Sequence, residues 1–504
     1  MGTVVSLRWI VIATVSIAAL AAGIVVYYAQ PSLPGDESEQ QAGKKESAIE
    51  LVVSESKNTS SAFVTPNPYI KEFQLPKDNF PNGILVDSNG TVWTVGTKSQ
   101  SLISFNPEQQ KAISYRIPSG SDGSGVSMVW TMAEGGDGSI WFSGSGKNPL
   151  WRFDPQKESF ESITALSASP INMKMDEDSG RIWYASLSRG IIGVLQKGGQ
   201  EYFVKELELG KESFPSGVFI QNQTLWITQS ADGKITTFQI SSKGGEVVDI
   251  VKTAQFPEEM LFSPSDIVIN NGSAWVTEHG TSFLTEYNIE TQEVKRYPTA
   301  LHPIQISTLP YWLAEDPSGK GVWFNEHRGN RIAFFDFSSR TLTEYEVPTR
   351  NPQMGYIANV LTVAADPSNE NRAWFTEWTE DKIGYVDRSV PIPFDIRTPD
   401  KQQIVVEKGQ TAEVNIEITR NPEVELFNDT LSFNASSSAV SSGFLLNATA
   451  TFSPSLIDLS ETSGTQTVSL ELTDNGMQEG KHMLAVSATD GAVVRTVYVE
   501  LEVK

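Results

Sequence analysis

The stretch Val-Trp-Phe-Asn-Glu at residues 322–326 decides the fold, because a pattern centred on it recurs along the chain. It follows an apolar segment that ends in acidic residues (311–316), and it precedes a segment that closes on an aromatic-Asp pair (331–336). A fourth segment carries the phrase Thr-Glu-Tyr (343–345). Each segment has the length of a short β-strand, and turn residues separate the segments. One copy of the pattern therefore predicts a four-stranded antiparallel sheet.

Seven tryptophans mark the second strand of the successive copies, and their spacings run from 42 to 51 residues. A period in the forties with four short strands per unit is typical of propeller blades. A single blade cannot bury both of its faces, but a ring of stacked blades can. The sequence therefore predicts an all-β fold in which residues 69–390 form a seven-bladed β-propeller, with the tryptophans between neighbouring blades. The tryptophans are Trp93, Trp141, Trp183, Trp226, Trp275, Trp323 and Trp374.

The two ends of the repeat region predict how the ring closes. Residues 70–76 match the fourth-strand pattern but precede the first full copy. The seventh copy stops after residues 382–387 and lacks a fourth strand. We therefore expect residues 70–75 to pair beside 382–387 as the missing outer strand of the last blade.

The rest of the chain predicts a linker and a second domain. Residues 30–68 are polar and contain several prolines, which is typical of a linker. Residues 391–504 contain no tryptophan and show six or seven short alternating strands, separated by turns such as Asp474-Asn475-Gly476. This pattern predicts an immunoglobulin-like β-sandwich.

The N-terminal residues 1–29 predict one transmembrane helix that anchors the chain. Residues 9–29 carry no charged side chain, and this run is long enough to span a hydrocarbon core of about 30 Å. We therefore expect a single-pass location in the cell membrane, with the bulk of the chain extracellular. A cleaved signal peptide, with Ala19-Leu20-Ala21 as the cleavage site, is the alternative. Seven N-x-S/T triplets agree with an extracellular glycoprotein, and they begin at Asn58, Asn89, Asn222, Asn271, Asn428, Asn434 and Asn447.

Charge and cysteine content exclude several classes of function. The formal net charge of -23 disfavours nucleic-acid phosphates and anionic lipid headgroups as partners. The chain has no cysteine, which removes disulfides, zinc-thiolate sites and thiol catalysis. The composition is compatible with a cationic ligand or a divalent metal ion.

The blade phrases resemble those of the virginiamycin B (streptogramin B) lyases. The resemblance rests on residues 374–378 with 381–384, on Thr-Glu-Tyr at 343–345, and on the Pro-x-Gly starts at 81–83 and 215–217. It implies a magnesium-dependent lyase that opens a cyclic depsipeptide antibiotic by elimination at its ester. It also implies a histidine base and carboxylates that hold the metal ion.

This sequence departs from that family at the positions that carry the chemistry. The resemblance implies a histidine near the start of the sixth and seventh blades. Tyr311 stands at the first of these positions, and Asn359 is nearest to the second. Ile357 stands where the family has an acidic residue, and Glu377 is the plausible counterpart of a second metal carboxylate. These replacements argue against the family's reaction in its usual form.

Three neighbouring blades nevertheless carry a glutamate followed by histidine or tryptophan, directly after the tryptophan strand. The pairs are Glu278-His279, Glu326-His327 and Glu377-Trp378. Because equivalent loops of a propeller share one face, we expect these side chains to lie in one sector of that face.

The residues of this sector, with two aromatic residues of the sixth blade, form the candidate site. The predicted roles are catalytic groups for His327 and His279, ligand contacts for Tyr311, Trp312, Trp378 and Glu278, and metal ligands for Glu326 and Glu377. The predicted cofactor is Mg²⁺ or another divalent cation. The alternative is that the glutamates belong to the blade scaffold and pair with cations such as Arg328 or Lys382.

The sequence leaves two main hypotheses for the function. The first is a membrane-anchored propeller that binds a small molecule, a glycan or a cell-surface protein on one face. The second is a divalent-metal-dependent lyase of the streptogramin B type, or a related hydrolase, with a rearranged site. A purely structural role in the cell envelope also stays open.

Overall fold

The computed structural model describes residues 48–55, 67–119, 125–199, 201–243, 246–257, 260–305, 307–399, 403–439, 447–461 and 464–504. The predicted transmembrane segment at 1–29 lies outside these residues, as do most of the predicted linker and the triplet at Asn58. In the described part of the chain, no helix is long and apolar enough to cross a membrane. This finding contradicts the predicted single-pass location in the cell membrane.

The chain enters the fold through three short strands, β1 (Ile49–Leu51), β2 (Ser54–Glu55) and β3 (Ile70–Gln74). Blades one to four follow, each with four consecutive strands. Blade one has β4 (Pro81–Val86), β5 (Val92–Gly96), β6 (Ser101–Asn106) and β7 (Lys111–Arg116); blade two has β8 (Met132–Glu134), β9 (Ile140–Ser145), β10 (Asn148–Asp154) and β11 (Ser159–Ile163); blade three has β12 (Asn172–Asp176), β13 (Arg181–Ser186), β14 (Ile191–Gly198) and β15 (Glu201–Glu208); blade four has β16 (Pro215–Gln221), β17 (Thr224–Gln229), β18 (Lys234–Lys243) and β19 (Glu246–Phe256).

Blades five and six repeat this arrangement, and blade seven takes only three strands from its own stretch of chain. Blade five has β20 (Pro264–Asn270), β21 (Ser273–Glu278), β22 (Phe283–Asn288) and β23 (Val294–Pro298); blade six has β24 (Pro310–Glu315), β25 (Gly321–Glu326), β26 (Arg331–Asp336) and β27 (Thr341–Glu346); blade seven has β28 (Val360–Ala365), β29 (Arg372–Glu377) and β30 (Lys382–Asp387). Two short 3-10 helices, Pro352–Met354 and Trp378–Glu380, lie before and within blade seven.

The seven sheets form a closed ring around a central channel. The innermost strand of each blade contacts the innermost strand of the next, and β28 of blade seven contacts β4 of blade one. The predicted seven-bladed propeller is therefore confirmed. The side chains of each strand point alternately to the two faces of the blade, and a neighbouring blade covers each face. Most residues of the strands are therefore buried.

Blade seven closes the ring with a strand from the other end of the repeat region. Strand β3 pairs antiparallel with β30, from Ile70 opposite Val386 to Gln74 opposite Lys382. The predicted role of residues 70–75 is thus confirmed. Phe73 fixes this strand, because it is 2% exposed and packs against Phe105 of blade one with ring centroids 4.9 Å apart.

Strands β1 and β2 fall within the predicted linker, yet they extend the propeller. β1 pairs with β7 at the outer edge of blade one, and β2 pairs with β3 at the outer edge of blade seven. These two strands therefore connect the two blades that meet at the closure.

The repeating tryptophans pack across the blade interfaces, as the sequence predicts. Trp275 of blade five lies 5.0 Å from Phe335 of blade six, measured between ring centroids. Trp374 of blade seven lies 6.0 Å from Phe105 of blade one. Each such contact buries apolar surface that a single blade would expose, so the tryptophans join the sheets into one body.

The described C-terminal residues form nine strands in two facing sheets. The strands are β31 (Phe394–Arg397), β32 (Gln403–Val406), β33 (Thr411–Arg420), β34 (Thr430–Ser437), β35 (Ala448–Ser453), β36 (Leu456–Asp458), β37 (Thr465–Asp474), β38 (Gly480–Thr489) and β39 (Val493–Val503). One sheet has the order β31-β33-β37-β35, and the other contains β39-β38-β34-β36 with β32 beside β39. Alternate residues such as Ile416 and Leu470 are buried between the sheets. The immunoglobulin-like topology stays a prediction.

The second of these sheets is continuous with blade six. Strand β39 pairs antiparallel with β27, from Leu342 opposite Thr496 to Tyr345 opposite Val493. The Tyr498 hydroxyl also donates to the carbonyl of Pro298 at 2.9 Å. The outer edge of blade six is therefore covered by the C-terminal strands, and both parts of the chain share one sheet.

Candidate functional site

The second strands of blades five, six and seven end in the same local structure. In each blade, the residue after that strand donates its backbone N–H to the carbonyl of the residue before the first strand. The accepting residue is left-handed, with φ between 50° and 55°. These bonds join His279 to Ser263 at 3.1 Å, His327 to Leu309 at 3.1 Å and Trp378 to Asn359 at 3.2 Å. The three donors therefore occupy equivalent places on one face of the ring, which we call the upper face.

The strand register corrects the position that the sequence assigns to Asn359. Asn359 directly precedes the first strand of blade seven, just as Leu309 precedes that of blade six. The residue equivalent to Tyr311 is Leu361, two positions later. The first strands of both blades contain a bulge near this point. A bulge shifts the strand register, and sequence similarity alone does not reveal this shift. Leu361, and not Asn359, therefore stands at the position in blade seven where the resemblance implies a histidine.

Glu278 is buried inside blade five and its carboxylate is fully used there. Its Oε1 accepts from Arg296 Nε at 3.0 Å and from the hydroxyl of Thr285. Its Oε2 accepts from the backbone N–H of Phe262. Glu278 has no exposed surface. The structure thus gives Glu278 the scaffold role that the sequence left open as an alternative.

Blades six and seven replace this arginine by a second glutamate. Three residues occupy the same place in the outer strands of blades five, six and seven: Arg296 on β23, Glu344 on β27 and Glu72 on β3. In blades six and seven, two carboxyl groups therefore face each other in the blade interior.

Glu326 of blade six faces Glu344, and the two carboxyl groups lie within hydrogen-bonding reach. Glu344 accepts bonds from the backbone N–H of Ala300 at 3.0 Å, from Arg331 at 3.4 Å and from Thr496 at 3.3 Å. Neither oxygen of Glu326 has a hydrogen-bond partner within the described ranges. Burial, followed by the charge of Glu344, raises the pKa of Glu326 well above its ordinary value. Glu326 is therefore the protonated member of the pair.

Glu377 of blade seven repeats this arrangement with Glu72 of the closing strand. Glu72 accepts from the backbone N–H and the hydroxyl of Thr349 at 3.2 and 2.8 Å, and from Lys382 Nζ at 2.8 Å. The oxygens of Glu377 find no partner in the part of the chain that the structure describes. Burial raises the pKa of Glu377 well above its ordinary value, and the charge of Glu72 adds to the shift. Glu377 is thus also a neutral acid.

These contacts do not fit the metal ion that the family implies. Glu326 and Glu377 each face a carboxyl group of their own blade, and both have no exposed surface. A divalent cation takes about six oxygen ligands, whereas each of these glutamates faces one carboxyl group, and that group is already paired with Arg331 or Lys382. Among the described residues, no group of three or more His, Asp and Glu side chains is arranged to hold a metal ion.

The two histidines, in contrast, lie together on the upper face. The rings of His279 and His327 are 5.8 Å apart between centroids with an angle of 21° between their planes. Tyr311 packs against His279 at 4.4 Å, and Trp312 packs against Tyr311 at 4.7 Å. We call these four residues the histidine cluster. Trp378 packs instead against Phe80 of blade one, at 5.9 Å.

Both histidines of the cluster are neutral at physiological pH. Burial lowers the pKa of His279 to about 3, and the neighbouring His327 and Arg328 lower it further. Burial also lowers the pKa of His327 to about 4, with Arg328 again adding to the shift. Both ring nitrogens of His279 and Nδ1 of His327 lack a hydrogen-bond partner within the described residues. The cluster therefore offers neutral imidazole donors and acceptors with nothing in the described chain to satisfy them.

The histidine cluster lies at the mouth of the central channel. Trp312 lines a channel cavity of about 310 Å³, together with Trp130 of blade two. The Trp130 ring also meets Tyr311 edge to face at 6.4 Å. Sequence reasoning missed Trp130 because it stands outside the repeating tryptophan strand. An aromatic residue that breaks the repeat is the signal that would have found it.

Two polar bridges cross the channel below the cluster. Asp266 of blade five accepts from Asn172 of blade three at 2.8 Å and from the backbone N–H of Leu313 at 2.9 Å. Lys174 of blade three donates to Glu315 of blade six at 3.3 Å. Burial raises the pKa of Asp266 to about 6, although Lys174 opposes this shift. The bridges give the cavity a polar base, which the sequence did not predict because the partners come from different blades.

Comparisons with known proteins agree with this architecture. The model of the virginiamycin B lyase family matches residues 127–417, which is more than half of the chain. A crystal structure of selenomethionine-substituted virginiamycin B lyase from Staphylococcus aureus is 21% identical, with a TM-score of 0.50, and the match covers 63% of this chain and 98% of that chain. A streptogramin B lyase structure is also 21% identical, with a TM-score of 0.50, and the match covers 63% of this chain and 97% of that chain.

At this identity the two structures support the fold and not the reaction. No curated protein sequence matches the chain. The family match nevertheless covers blades two to seven of the ring. The chain therefore belongs to the virginiamycin B lyase family.

Proposed function

We propose that this protein binds a small molecule at the histidine cluster on the upper face and does not cleave it. The ligand is an uncharged, flat group with both a hydrogen-bond donor and an acceptor at its edge. Such a group can lie against Tyr311 and Trp312 while its polar edge meets His279 and His327.

One observation carries this proposal: His279 is 4% exposed, yet neither of its ring nitrogens has a partner among the described residues. A buried polar group without a partner costs about 1–3 kcal/mol. A ligand that satisfies the ring would recover this free energy. Because both histidines are neutral, an uncharged ligand suits the cluster better than an anion.

The second candidate is a metal-dependent lyase, and membership of the family favours it. The contacts of the glutamates argue against it. Glu326 and Glu377 are neutral acids inside their blades, and Tyr311 and Leu361 stand where the family has histidines. A neutral histidine could still act as a general base, so the reaction has to be tested directly.

Histidine signals provide the test, because the chain has four histidines, His279, His302, His327 and His482. The full chain is labelled with ¹³C at histidine Cε1 and titrated with virginiamycin B and with a set of uncharged aromatic heterocycles. We expect at least one compound to move the His279 and His327 signals, leave the His482 signal unchanged, and lose this effect in Tyr311→Ala.

Mass spectrometry of the same samples separates the two candidates. The proposal predicts that virginiamycin B keeps its intact mass with and without MgCl₂. A linearised product that requires Mg²⁺ would establish the lyase instead. If no compound moves the His279 and His327 signals, the binding site is not at the histidine cluster.

A further inference from the structure

A second cavity lies where blade six meets the C-terminal sheets, and we call it the junction cavity. Its volume is about 700 Å³. Its walls come from the loop before blade six, from the upper end of blade six, and from strand β34 with the turn between β38 and β39. None of its lining residues belongs to the histidine cluster. The two sites are therefore independent.

One wall of the junction cavity is a row of polar side chains. Thr430, Ser432 and Asn434 alternate along β34, so they lie on the same face of the strand, and Asn428 extends the row. Thr430 and Ser432 are exposed. Asn434 accepts from the backbone N–H of Leu301 at 3.3 Å, and this bond joins the polar row to the loop before blade six. This wall offers hydroxyl and amide groups without a net charge.

A second part of the lining is apolar. Leu301, Ile304 and Tyr356 line the cavity, and they are 40%, 61% and 40% exposed. Large apolar side chains with this exposure in one concave patch are typical of a binding surface. A ligand in the cavity therefore meets both apolar groups and hydrogen-bonding groups.

The charges at the base of the cavity neutralise one another. Glu346 accepts from Arg331 Nε at 2.5 Å and from an amino group of Arg350 at 2.6 Å. Arg331 also pairs with Glu344 behind it at 3.4 Å. The charged residues of the lining are two arginines, Arg331 and Arg350, and two acids, Glu346 and Asp490, so the cavity has no excess of either charge for a phosphate or an ammonium group.

Two further groups fix hydrogen-bonding directions. His302 Nδ1 accepts from the backbone N–H of Ile304 at 3.2 Å and of Gln305 at 3.0 Å. Burial, followed by the charge of Arg331, lowers the pKa of His302 to about 4, so the neutral ring carries its proton on Nε2. Asp490 also lines the cavity, and its Oδ2 has no hydrogen-bond partner within the described ranges. The site therefore presents a fixed donor and an unsatisfied acceptor.

We propose that the junction cavity binds a neutral oligosaccharide. A pyranose has an apolar face of C–H groups and a polar edge of hydroxyls, which matches the apolar and polar parts of the lining. Its hydroxyls can donate and accept, which matches the amides, the hydroxyls, His302 and Asp490. The equal number of arginines and acids in the lining disfavours a ligand that binds through its own net charge.

The same four histidine signals test this inference, because His302 reports on the junction cavity. The labelled full chain, produced without N-glycosylation, is titrated with tetrasaccharides of glucose, mannose, galactose and N-acetylglucosamine. We expect at least one of them to move the His302 signal and to leave the His279, His327 and His482 signals unchanged. Ser432→Ala and Tyr356→Ala should each raise the Kd about tenfold, the loss of roughly one hydrogen bond or one ring contact.

Val405→Ala is the matched control, because Val405 is 44% exposed on β32 of the same sheet and does not line the cavity. It should leave the Kd unchanged. The inference is overturned if no tetrasaccharide moves the His302 signal, or if binding survives both cavity substitutions. It is also overturned if the chain, made with N-glycosylation, carries a glycan on Asn428 that fills the cavity, since the carbohydrate is then its own.

Discussion

Glu326 and Glu344 face each other inside blade six, and within the described residues hydrogen-bond donors reach Glu344 but not Glu326, which Arg331 approaches to 4.0 Å. The proton of the pair therefore resides on Glu326, which donates to Glu344. The folded chain binds this proton more tightly than the unfolded chain does. The stability that this proton contributes is fully present below the ordinary glutamate pKa. It is lost as the pH rises through the raised pKa of Glu326 in the folded chain.

Exchanging these glutamates for glutamine should have unequal effects. Glu326→Gln keeps a neutral donor opposite Glu344, so we expect a change within about 1 kcal/mol at pH 7. Glu344→Gln removes a charge that balances the buried Arg331, and we expect a loss on the order of 3 kcal/mol. Thermal unfolding of both variants at pH 7 measures the difference. Equal losses would contradict the assignment of the proton to Glu326.

The buried ring of His279 should make the protein sensitive to acid. Its folded pKa is lowered to about 3, so the unfolded chain binds more protons than the folded chain between this pH and 6.5. Stability from this ring is present above pH 6.5 and falls as the pH decreases, by about 1.4 kcal/mol per unit. His279→Phe should remove this slope, as measured by the difference in unfolding free energy from the wild type between pH 6 and pH 4.

His482→Gln provides the comparison for the acid experiment, because His482 lies in the C-terminal strand β38 and outside the cluster. This variant should keep the acid slope of the wild type. A slope that is unchanged in His279→Phe would show that the buried ring titrates normally.

The strand that closes the ring should depend on Phe73. Phe73→Ala removes a ring that packs against Phe105, Trp374 and Tyr385, and it should cost about 3–5 kcal/mol. Phe203→Ala is the control, since Phe203 is 49% exposed on the outer strand of blade three. Urea unfolding followed by tryptophan fluorescence compares the two. Similar midpoints would mean that closure does not depend on this packing.

Removing the C-terminal sheets should destabilise the propeller. A chain that ends at residue 390 leaves β27 as an unpaired edge, because β39 covers it in the full chain. We expect the unfolding temperature to fall by at least about 5 °C, and we expect concentration-dependent association in light scattering. A monomeric truncated chain with an unchanged unfolding temperature would contradict this.

The repeat could be predicted from the sequence because each blade forms from a nearby stretch of chain. Tryptophan spacing predicted seven blades, and the orphan pattern at 70–75 predicted the closure that pairs Ile70 with Val386. The equivalence of His279 and His327 was also predictable, because both follow the tryptophan strand at the same step. The pairing of β27 with β39 was not, since it joins two regions without a shared pattern.

The contacts of the glutamates could not be predicted from the sequence either. Glu278 and Glu326 follow their tryptophans at the same distance, yet Glu278 is hydrogen-bonded to Arg296, whereas Glu326 faces a second carboxyl group that raises its pKa. The difference comes from the outer strand, where Glu344 stands in place of Arg296. The assignment of Asn359 failed for a related reason, because strand register, and not phrase similarity, determines which residues are equivalent.

The pairing of β27 with β39 has a consequence for synthesis of the chain on the ribosome. Blade seven cannot be completed until residue 387 has been made, because its outer strand β3 pairs with β30, which ends there. The outer edge of blade six, which is complete at residue 346, must then wait for residues 493–496. The nascent protein therefore carries an unprotected strand edge while the long segment between β27 and β39 is being made.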